Sequence, residues 1–414
     1  CERGKMAMFF KVAFRNRWRR RFRRGFTLVA IGGRFSLLLF FVALPGGSHQ
    51  LMIDLAIRMQ AGHVVIQAPA FQKERALELR VTDPDEVMRR IGPLPEGWTA
   101  TRRIFTTGLL RSADGSVMLD NLMAVDLENE RKVSDVGRKL VRGAWLDPDE
   151  PGILIGEKAA RLLKVDVGDK VVVSCSGLTQ KVEERFLVAG VFRVGGDADR
   201  GMAMIGLARG QALLGMGDAV SQLAFFLPPD DSQAAARELR RRVQGLPVAV
   251  LHWQEALPVL TQLLWVDDIS MQVFIFIILV IVAAGILNTV LMSVMERTRE
   301  LGILKSLGMR PWSLFRLIVT ESLLLGLLAV AVGAALGLPL VHHFGQVGID
   351  PLALTGGEVM EMEGIAFTDR IHPVLSWASG LILTAVVLGM TLLSAVWPAL
   401  RAKRILPVKA LRQM

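Results

Sequence analysis

The sequence predicts an α-helical membrane protein with four transmembrane helices and a large mixed α/β extracytoplasmic domain between helices 1 and 2. Three observations support this fold class. Four apolar stretches are long enough to cross a bilayer, basic residues concentrate on one side of them, and about 220 residues between the first two stretches alternate between strand and helix patterns. The 414-residue chain is 52% hydrophobic with a mean hydropathy of +0.41, which excludes a disordered protein.

The four apolar stretches define the predicted spans. Transmembrane helices are expected at residues 26–44, 270–294, 314–341 and 374–400. The first carries Arg34 near its middle, so either this span is shifted along the chain or Arg34 faces a polar cleft. We interpret the first span as a retained anchor rather than a cleaved signal peptide, because its apolar part is long.

The distribution of charge predicts the orientation. The N-terminal arm, residues 1–25, has eight basic and no acidic residues from position 11 onward, and the loop 295–313 and the tail 401–414 are also rich in Lys and Arg. The positive-inside rule places these three segments, with both termini, on the cytoplasmic side of the membrane. Residues 45–267 and the loop 342–373 then lie outside the cytoplasm, which is the periplasm if the membrane is a bacterial inner membrane. The net charge of +10 is explained by orientation and by contact with membrane lipids, so we expect no nucleic-acid partner.

The predicted periplasmic domain, residues 45–267, is long enough to bury its own core. Apolar, β-rich runs such as 153–155 and 170–175 alternate with helical patterns, which is typical of a mixed α/β fold. Residues 70–150 are more polar and predict an inserted subdomain. The six histidines are scattered and Cys175 has no evident base partner, so we predict no catalytic residue, no metal site and no enzyme activity on this chain.

The loop after the second span is short, charged at its start and helical in period. Leu301, Leu304 and Leu307 fall on one face of the predicted helix, Gly308 can end it, and Pro311 can start the next one. This pattern predicts an amphipathic helix that lies parallel to the membrane surface and is presented to a cytosolic partner. A connector that merely rests on the membrane is the alternative.

Two motifs resemble a known family. Residues 296–308, ERTRELGILKSLG, and residues 397–412, WPALRAKRILPVKALR, resemble signatures of the FtsX/MacB/LolC-LolE superfamily of ABC transporter permeases. The predicted layout of one span, a large outside domain and three further spans is similar too. In the outside half, residues 62–67 and residues 152–158 through 167–169 look most like the lipoprotein-releasing branch, the LolC/LolE type.

The resemblance implies that the loop between spans two and three is a coupling helix, which would dock on the dimer of a separate cytosolic ABC ATPase. It assigns ATPase coupling to six residues: Glu296, Arg299, Glu300, Gly302, Lys305 and Gly308. The sequence has no GxxxxGK(S/T) phosphate-binding loop, so ATP and Mg are expected on the partner ATPase and no cofactor is expected on this chain.

Small residues recur in the third span. Ala329, Gly333 and Gly337 are four positions apart, and such a stripe lets two helices pack closely in lipid. We expect it to serve helix packing within the chain or against a second permease copy in a dimer.

The second span carries soft apolar side chains at Met271, Phe274 and Phe276. In the family, spans one and two line a cleft at the dimer centre, so these residues are candidates for holding acyl chains or other cargo. Ordinary contact with lipid is the alternative.

The predicted function is therefore that of a permease subunit, which converts ATP hydrolysis by a separate ATPase into periplasmic conformational change. The lipoprotein-releasing branch implies extraction of lipoproteins from the inner membrane for outer-membrane sorting. The expected partners are the ATPase, a second permease copy or paralogue, lipoprotein cargo and a periplasmic carrier chaperone. Two alternatives stay open: MacB-like export of peptides or small molecules through an adaptor and an outer-membrane duct, and FtsX-like activation of a cell-wall hydrolase.

Overall fold

The computed structural model describes residues 2–228, 231–296, 298–307, 309–354, 361–362, 365–366 and 370–403, without the side chains of residues 2–28 and of some further helical positions. The chain divides into two compact units. The helical unit comprises Cys1–His49, Trp265–Ile349 and Ile371–Met414, and the α/β unit comprises Gln50–Leu264 and Asp350–Arg370.

The described elements follow in chain order: α1 (Glu2–Met59), β1 (Val64–Gln67), α2 (Phe71–Glu74), α3 (Pro84–Ile91), β2 (Thr99–Arg111), β3 (Ser116–Val125), α4 (Leu127–Val133), β4 (Leu140–Gly143), β5 (Gly152–Gly156), α5 (Glu157–Leu163), β6 (Lys170–Ser176), β7 (Lys181–Phe192), α6 (Ala198–Gly201), β8 (Met202–Gly206), α7 (Leu207–Leu214), β9 (Gln222–Phe226), α8 (Ser232–Arg242), β10 (Ala249–His252), α9 (Trp253–Ala256), α10 (Pro258–Glu296), α11 (Thr298–Ser306), α12 (Pro311–Val347), α13 (Pro351–Leu354), β11 (Glu361–Met362), β12 (Ile365–Ala366) and α14 (Trp377–Lys403).

Four described helices are long and apolar enough to cross a membrane. They cover Gly32–Met59 within α1, Pro258–Asn288 within α10, Pro311–Val347 as α12, and Trp377–Arg401 within α14. Each overlaps one of the four predicted spans. The prediction of four long apolar helices is confirmed. It could be made from the sequence because hydropathy over about 20 residues is the strongest signal that a membrane protein sequence carries.

The ends of two helices differ from the sequence prediction. α1 continues through Pro45 to Met59, although the first span was expected to end at residue 44. Proline usually kinks or ends a helix, but α1 continues past Pro45. In this later part, Met52, Leu55 and Ala56 follow helical spacing and are buried in the α/β unit. α10 likewise begins at Pro258, well before the predicted residue 270.

The α/β unit is built on a ten-stranded sheet, part of which closes on itself. The order is β10-β1-β9-β2-β3-β8-β5-β7-β4, and β6 pairs with both β2 and β7. Strands β2, β3, β8, β5, β7 and β6 therefore form a closed six-stranded ring. The β3–β8 and β5–β7 pairs are parallel, and the other ring pairs are antiparallel.

The long strand β2 belongs both to the ring and to its extension. Its first residues, Thr99–Arg103, pair with β9, and Gly108–Arg111 pair with β6. The register against β3 shifts between Thr106 and Gly108, where the change of partner occurs. A Cβ at Gly108 would lie 3.0 Å from the Ser174 carbonyl oxygen, so the absence of a side chain permits this close approach.

The main apolar core of the α/β unit draws on every strand of the ring. Its buried side chains include Leu110, Leu119, Ile153, Val173, Phe186 and Ile205. Residues 70–150, predicted as an inserted subdomain, contribute β2, β3 and β4 to this same sheet. The polar and proline-rich residues of that segment lie mostly between strands, which is why composition alone suggested a separate body.

Candidate coupling segment and helix-packing core

The segment that joins α10 to α12 contains the short helix α11. Leu301 is 4% exposed and belongs to the apolar core of the helical unit, which also includes Leu314 and Ile318 of α12. Leu304 is half-buried, and Leu307 is 80% exposed. The predicted apolar face is therefore divided: its start packs into the helical unit, and its end is left on the surface.

The six predicted coupling residues have different environments. Glu296 is exposed at the end of α10, Gly302 is buried, and Lys305 is half-buried in the last turn of α11. Arg299 and Glu300 lie on α11, but their side chains are outside the described part of the structure, as is the whole of Gly308. Their role in coupling stays a prediction from the resemblance.

The small-residue stripe of α12 packs against α1. Ala329, Gly333 and Gly337 are buried. A Cβ at Gly333 would lie 2.5 Å from the Gly32 carbonyl oxygen, and a Cβ at Gly337 would lie 3.0 Å from Ser36 Cα. The two backbones are thus in direct contact, and the stripe packs helices within one chain. The matching Gly32 and Ser36 were missed in the sequence, where their four-residue spacing was the available signal.

A second tight contact on α12 lies nearer its start, against α14. A Cβ at Gly326 would lie 3.0 Å from Thr391 Cγ2, and the Thr391 hydroxyl donates to the Val387 carbonyl within its own helix. Three residues later on α14, the Ser394 hydroxyl donates to the Ala283 carbonyl of α10 at 3.2 Å. Small and hydroxyl residues therefore hold α10, α12 and α14 together, as expected where burial of apolar surface gives little advantage in lipid.

The candidate cargo residues on α10 are only partly brought together. Phe274 makes an edge-to-face contact with Phe41 of α1, with ring centroids 6.2 Å apart. Met271 is half-buried one turn earlier, whereas Phe276 is 61% exposed on the surface of the helical unit. Of the three residues, Phe274 contacts α1 although it is 48% exposed, and no cleft is formed by the three side chains together.

Two polar contacts also join α1 to α10. The Arg34 guanidinium lies directly against Gly285, in the space that a Cβ at that position would occupy. Farther along, His49 Nε2 lies 2.6 Å from Asp267 Oδ2, and His49 Nδ1 lies 3.6 Å from Asp268 Oδ1. In the sequence, α1 leads into the α/β unit and α10 leads out of it. The His49 contact therefore joins the two chain segments that connect to that unit.

One serine–histidine pair in the α/β unit was not predicted and invites a catalytic interpretation. Ser232 Oγ and His252 Nε2 are 3.0 Å apart, and both residues are buried. However, both side chains are buried, so a substrate would have no access to the serine. The His252 backbone N–H donates to Glu255 Oε2 at 2.9 Å, which places His252 at the start of α9. We therefore assign the pair a structural role.

Cys175 on β6 has the properties of a structural cysteine. Its side chain is 5% exposed in the main core, and burial, followed by the nearby charge of Glu184, raises the pKa of the thiol to about 11. A thiol with such a pKa holds almost no thiolate near neutral pH and is a poor nucleophile.

Comparisons with known proteins find a family model, curated relatives and a solved structure that resemble parts of this chain. Residues 272–407 match the family model of the FtsX-like permease C-terminal domain. The lipoprotein-releasing system transmembrane protein LolC of Xylella fastidiosa is 26% identical over 399 residues, covering 93% of this chain and 92% of that protein. The corresponding protein LolE of Haemophilus influenzae is 24% identical over 69% of this chain and 71% of its own length. The crystallised periplasmic region of MacB from Actinobacillus actinomycetemcomitans matches with a TM-score of 0.35 and 14% identity, over 49% of this chain and 94% of that one.

These findings confirm the predicted resemblance: residues 272–407 match an FtsX-like permease C-terminal domain, and the chain is similar to the LolC and LolE transmembrane proteins of lipoprotein-releasing systems. The similarity to LolC extends over nearly the whole chain.

Proposed function

We propose that this chain is the permease subunit of an inner-membrane ABC system that extracts lipoproteins from the membrane, driven by a separate ATPase. The observation that carries the proposal is the similarity to LolC of the lipoprotein-releasing system over 93% of the chain, which includes the α/β unit as well as the helices. A similarity confined to residues 272–407 would support only the broader permease class.

The connecting segment supports coupling to the ATPase. α11 is tied to the helical unit through buried Leu301, while Ile303 and Leu307 are 42% and 80% exposed. The neighbouring segments are rich in Lys and Arg, so the positive-inside rule assigns α11 and both termini to the cytoplasm. A short helix that is anchored at one end and exposes apolar side chains at the other suits docking into a groove of a cytosolic subunit.

The energetics of the proposed cargo require a coupled energy source. Withdrawing an acyl chain from lipid costs about 0.8 kcal/mol per CH₂, so a triacylated protein does not leave the bilayer spontaneously. ATP hydrolysis by the partner would supply this free energy. We propose that the permease acts as a dimer, with a second copy or a paralogue, and that its periplasmic side passes cargo to a carrier chaperone.

A pull-down of the detergent-solubilised full chain from its native host, followed by mass spectrometry, tests this proposal. We expect an ABC ATPase, a permease of the same family and lipoproteins to be retained. An ATPase together with a periplasmic adaptor and an outer-membrane duct would contradict lipoprotein extraction and indicate export. Retention of a cell-wall hydrolase without lipoproteins would indicate a signalling role instead.

A further inference from the structure

A buried ion pair lies in the α/β unit beside the end of α1. Arg103 of β2 and Glu130 of α4 both have fully buried side chains. Arg103 Nε donates to Glu130 Oε2 at 2.9 Å and Nη2 donates to Glu130 Oε1 at 2.7 Å, so the contact is bidentate. The Thr101 hydroxyl donates to the same carboxylate at 3.0 Å. The orientation of the Arg103 guanidinium is thereby fixed.

The same guanidinium also reaches the last turn of α1. Arg103 Nη2 donates to the Arg58 carbonyl oxygen at 3.1 Å. Gln222 of β9, which stands opposite Arg103 in the sheet register, donates to the Gln60 carbonyl at 3.1 Å. The last carbonyls of a helix have no partner within the helix, and here side chains from two neighbouring strands satisfy them. The end of α1 is therefore attached to β2 and β9 by directed polar bonds.

This arrangement is poorly suited to stability alone. A buried ion pair loses the solvation of both charges, and apolar residues of similar volume often replace such a pair without loss of stability. Within the described residues, Arg103 Nη1 is buried with no hydrogen-bond partner, which adds a further penalty. Apolar contacts to α1 already exist, because Ile57 is buried with Ala224 and Phe226. The distinctive contribution of Arg103 is a fixed geometry between α1, β2 and α4.

We propose that Arg103 is a positioning residue that locks the last turn of α1 to the sheet, so that displacement of this helix is passed to β2 and β9. The proposal rests on the proposed function, in which nucleotide-driven motion reaches the periplasmic domain. α1 is one continuous helix from the predicted first span to Met59, so its last turn is where such motion would enter the sheet. Arg103 acts through Arg58 and Glu130 and touches no cargo.

Three variants of the full chain, each in complex with its ATPase, test the lock. Arg103→Lys keeps the charge opposite Glu130 but removes the guanidinium fork that also reaches Arg58. Arg103→Met combined with Glu130→Met replaces the whole pair with apolar side chains. The control is Arg102→Met combined with Asp85→Ala, which removes an exposed ion pair made by the adjacent residue of β2.

Hydrogen exchange, measured without nucleotide and after trapping with ATP and vanadate, provides the readout. In the wild-type complex we expect nucleotide to change exchange in residues 50–60, in β2 and in β9. In Arg103→Lys and in the double variant, the change should persist in residues 50–60 and fall by about threefold or more in β2 and β9. The control should behave as wild type.

The outcomes separate the lock from the proposed function. An undiminished response of β2 and β9 in folded Arg103→Lys would overturn the lock while leaving ATP-driven motion intact. A wild-type complex that hydrolyses ATP with no exchange change in the α/β unit would overturn the proposed function, and the lock with it. If the double variant does not fold, Arg103→Lys decides the question, since its ion pair to Glu130 is retained.

Discussion

Glycines in the membrane helices differ in what surrounds them, and the difference predicts which ones tolerate a side chain. A Cβ at Gly333 would lie 2.5 Å from the Gly32 carbonyl oxygen and 2.8 Å from Phe35 Cδ1, whereas a Cβ at Gly389 of α14 would meet nothing within 4 Å. Gly333 cannot be replaced by a larger residue unless α1 and α12 separate, whereas the space around Gly389 accepts a side chain.

We therefore expect Gly333→Leu to destabilise the helical unit by about 1–3 kcal/mol, the usual cost of overpacking a close contact. Gly389→Leu, the matched control, should have nearly the wild-type stability. Thermal unfolding of the full chain in detergent measures both. Equal stability of the two variants would show that the α1–α12 contact is not as close as described.

His63, at the entry to β1, makes the stability of the α/β unit depend on pH. Burial, followed by the nearby charge of Arg58, lowers the pKa of His63 from 6.5 to about 4, and its Nδ1 accepts a hydrogen bond from the Leu227 N–H at 3.3 Å. Between about pH 6.5 and pH 4, His63 is mostly protonated in the unfolded chain and mostly neutral in the folded chain. Stability is therefore fully present above this window and is lost as the pH falls through it.

Lowering the pH from 7 to 5 should cost about 1–2 kcal/mol of stability through His63. His63→Gln should remove this part of the pH dependence, because the amide does not titrate in that range. His342→Gln, which changes an exposed histidine of α12, should leave it in place. An unchanged pH dependence in His63→Gln, measured by thermal unfolding at both pH values, would refute the assignment.

At the scale of elements, the sequence predicts best where a short window carries the signal. The four apolar helices follow from hydropathy alone, and α11 follows from periodicity between Glu296 and Pro311. The extension of α1 past Pro45 was missed, because its burial depends on contacts with strands that are distant in the chain. The pairing of β2 with both β9 and β6 was missed for the same reason, since local patterns do not encode long-range register.

The same limit applies to the functional residues. The coupling motif is contiguous, so it was found from the sequence and its resemblance to a family. Arg103 and Glu130 were not singled out, because they are ordinary charged residues 27 positions apart whose burial appears only when β2 and α4 pack together. Buried charge is invisible in the sequence because Arg and Glu are usually exposed.

The connecting helix α11 yields a prediction at this scale. Glu300→Lys reverses a charge within the motif that the family resemblance assigns to ATPase contact. We expect cargo movement to fall by about tenfold or more, equivalent to losing about 1.4 kcal/mol of coupling free energy, with little change in the melting temperature. ATP hydrolysis and cargo release by the reconstituted complex are the measurements.

Arg310→Glu is the matched control for that variant. It reverses a charge in the same loop at an exposed position outside the six assigned residues. Wild-type ATP turnover and cargo movement in Glu300→Lys would remove the coupling assignment. Equal loss in both variants would indicate a general effect of charge on the loop rather than a specific contact.

At the scale of the whole molecule, the proposed orientation places the α/β unit outside the cytoplasm. The segment between β4 and β5 is exposed around residue 150, so an inserted reporter should not disturb the sheet. A periplasm-active reporter there should be active, and one after residue 414 should not. Cytoplasmic activity of a reporter at residue 150 would reverse the topology, because the positive-inside rule would then have failed for this chain.

The division of the chain into a helical unit and an α/β unit suits a permease that works on cargo outside the membrane. The helical unit carries the FtsX-like domain and the candidate ATPase contact. The α/β unit contributes to the whole-length similarity with LolC and carries the proposed lock at the end of α1. These features support our proposal that the chain takes part in ATP-driven release of a lipidated protein.

Release from proteoliposomes tests that claim most directly. The full chain, with the ATPase and any second permease that co-purify with it, would be reconstituted with a triacylated lipoprotein, and with the same protein lacking its acyl chains as control. We expect ATP, but not a non-hydrolysable analogue, to release the triacylated protein to a soluble carrier, and we expect Glu300→Lys to abolish this release. Robust ATP hydrolysis with no release of the acylated protein would contradict the claim.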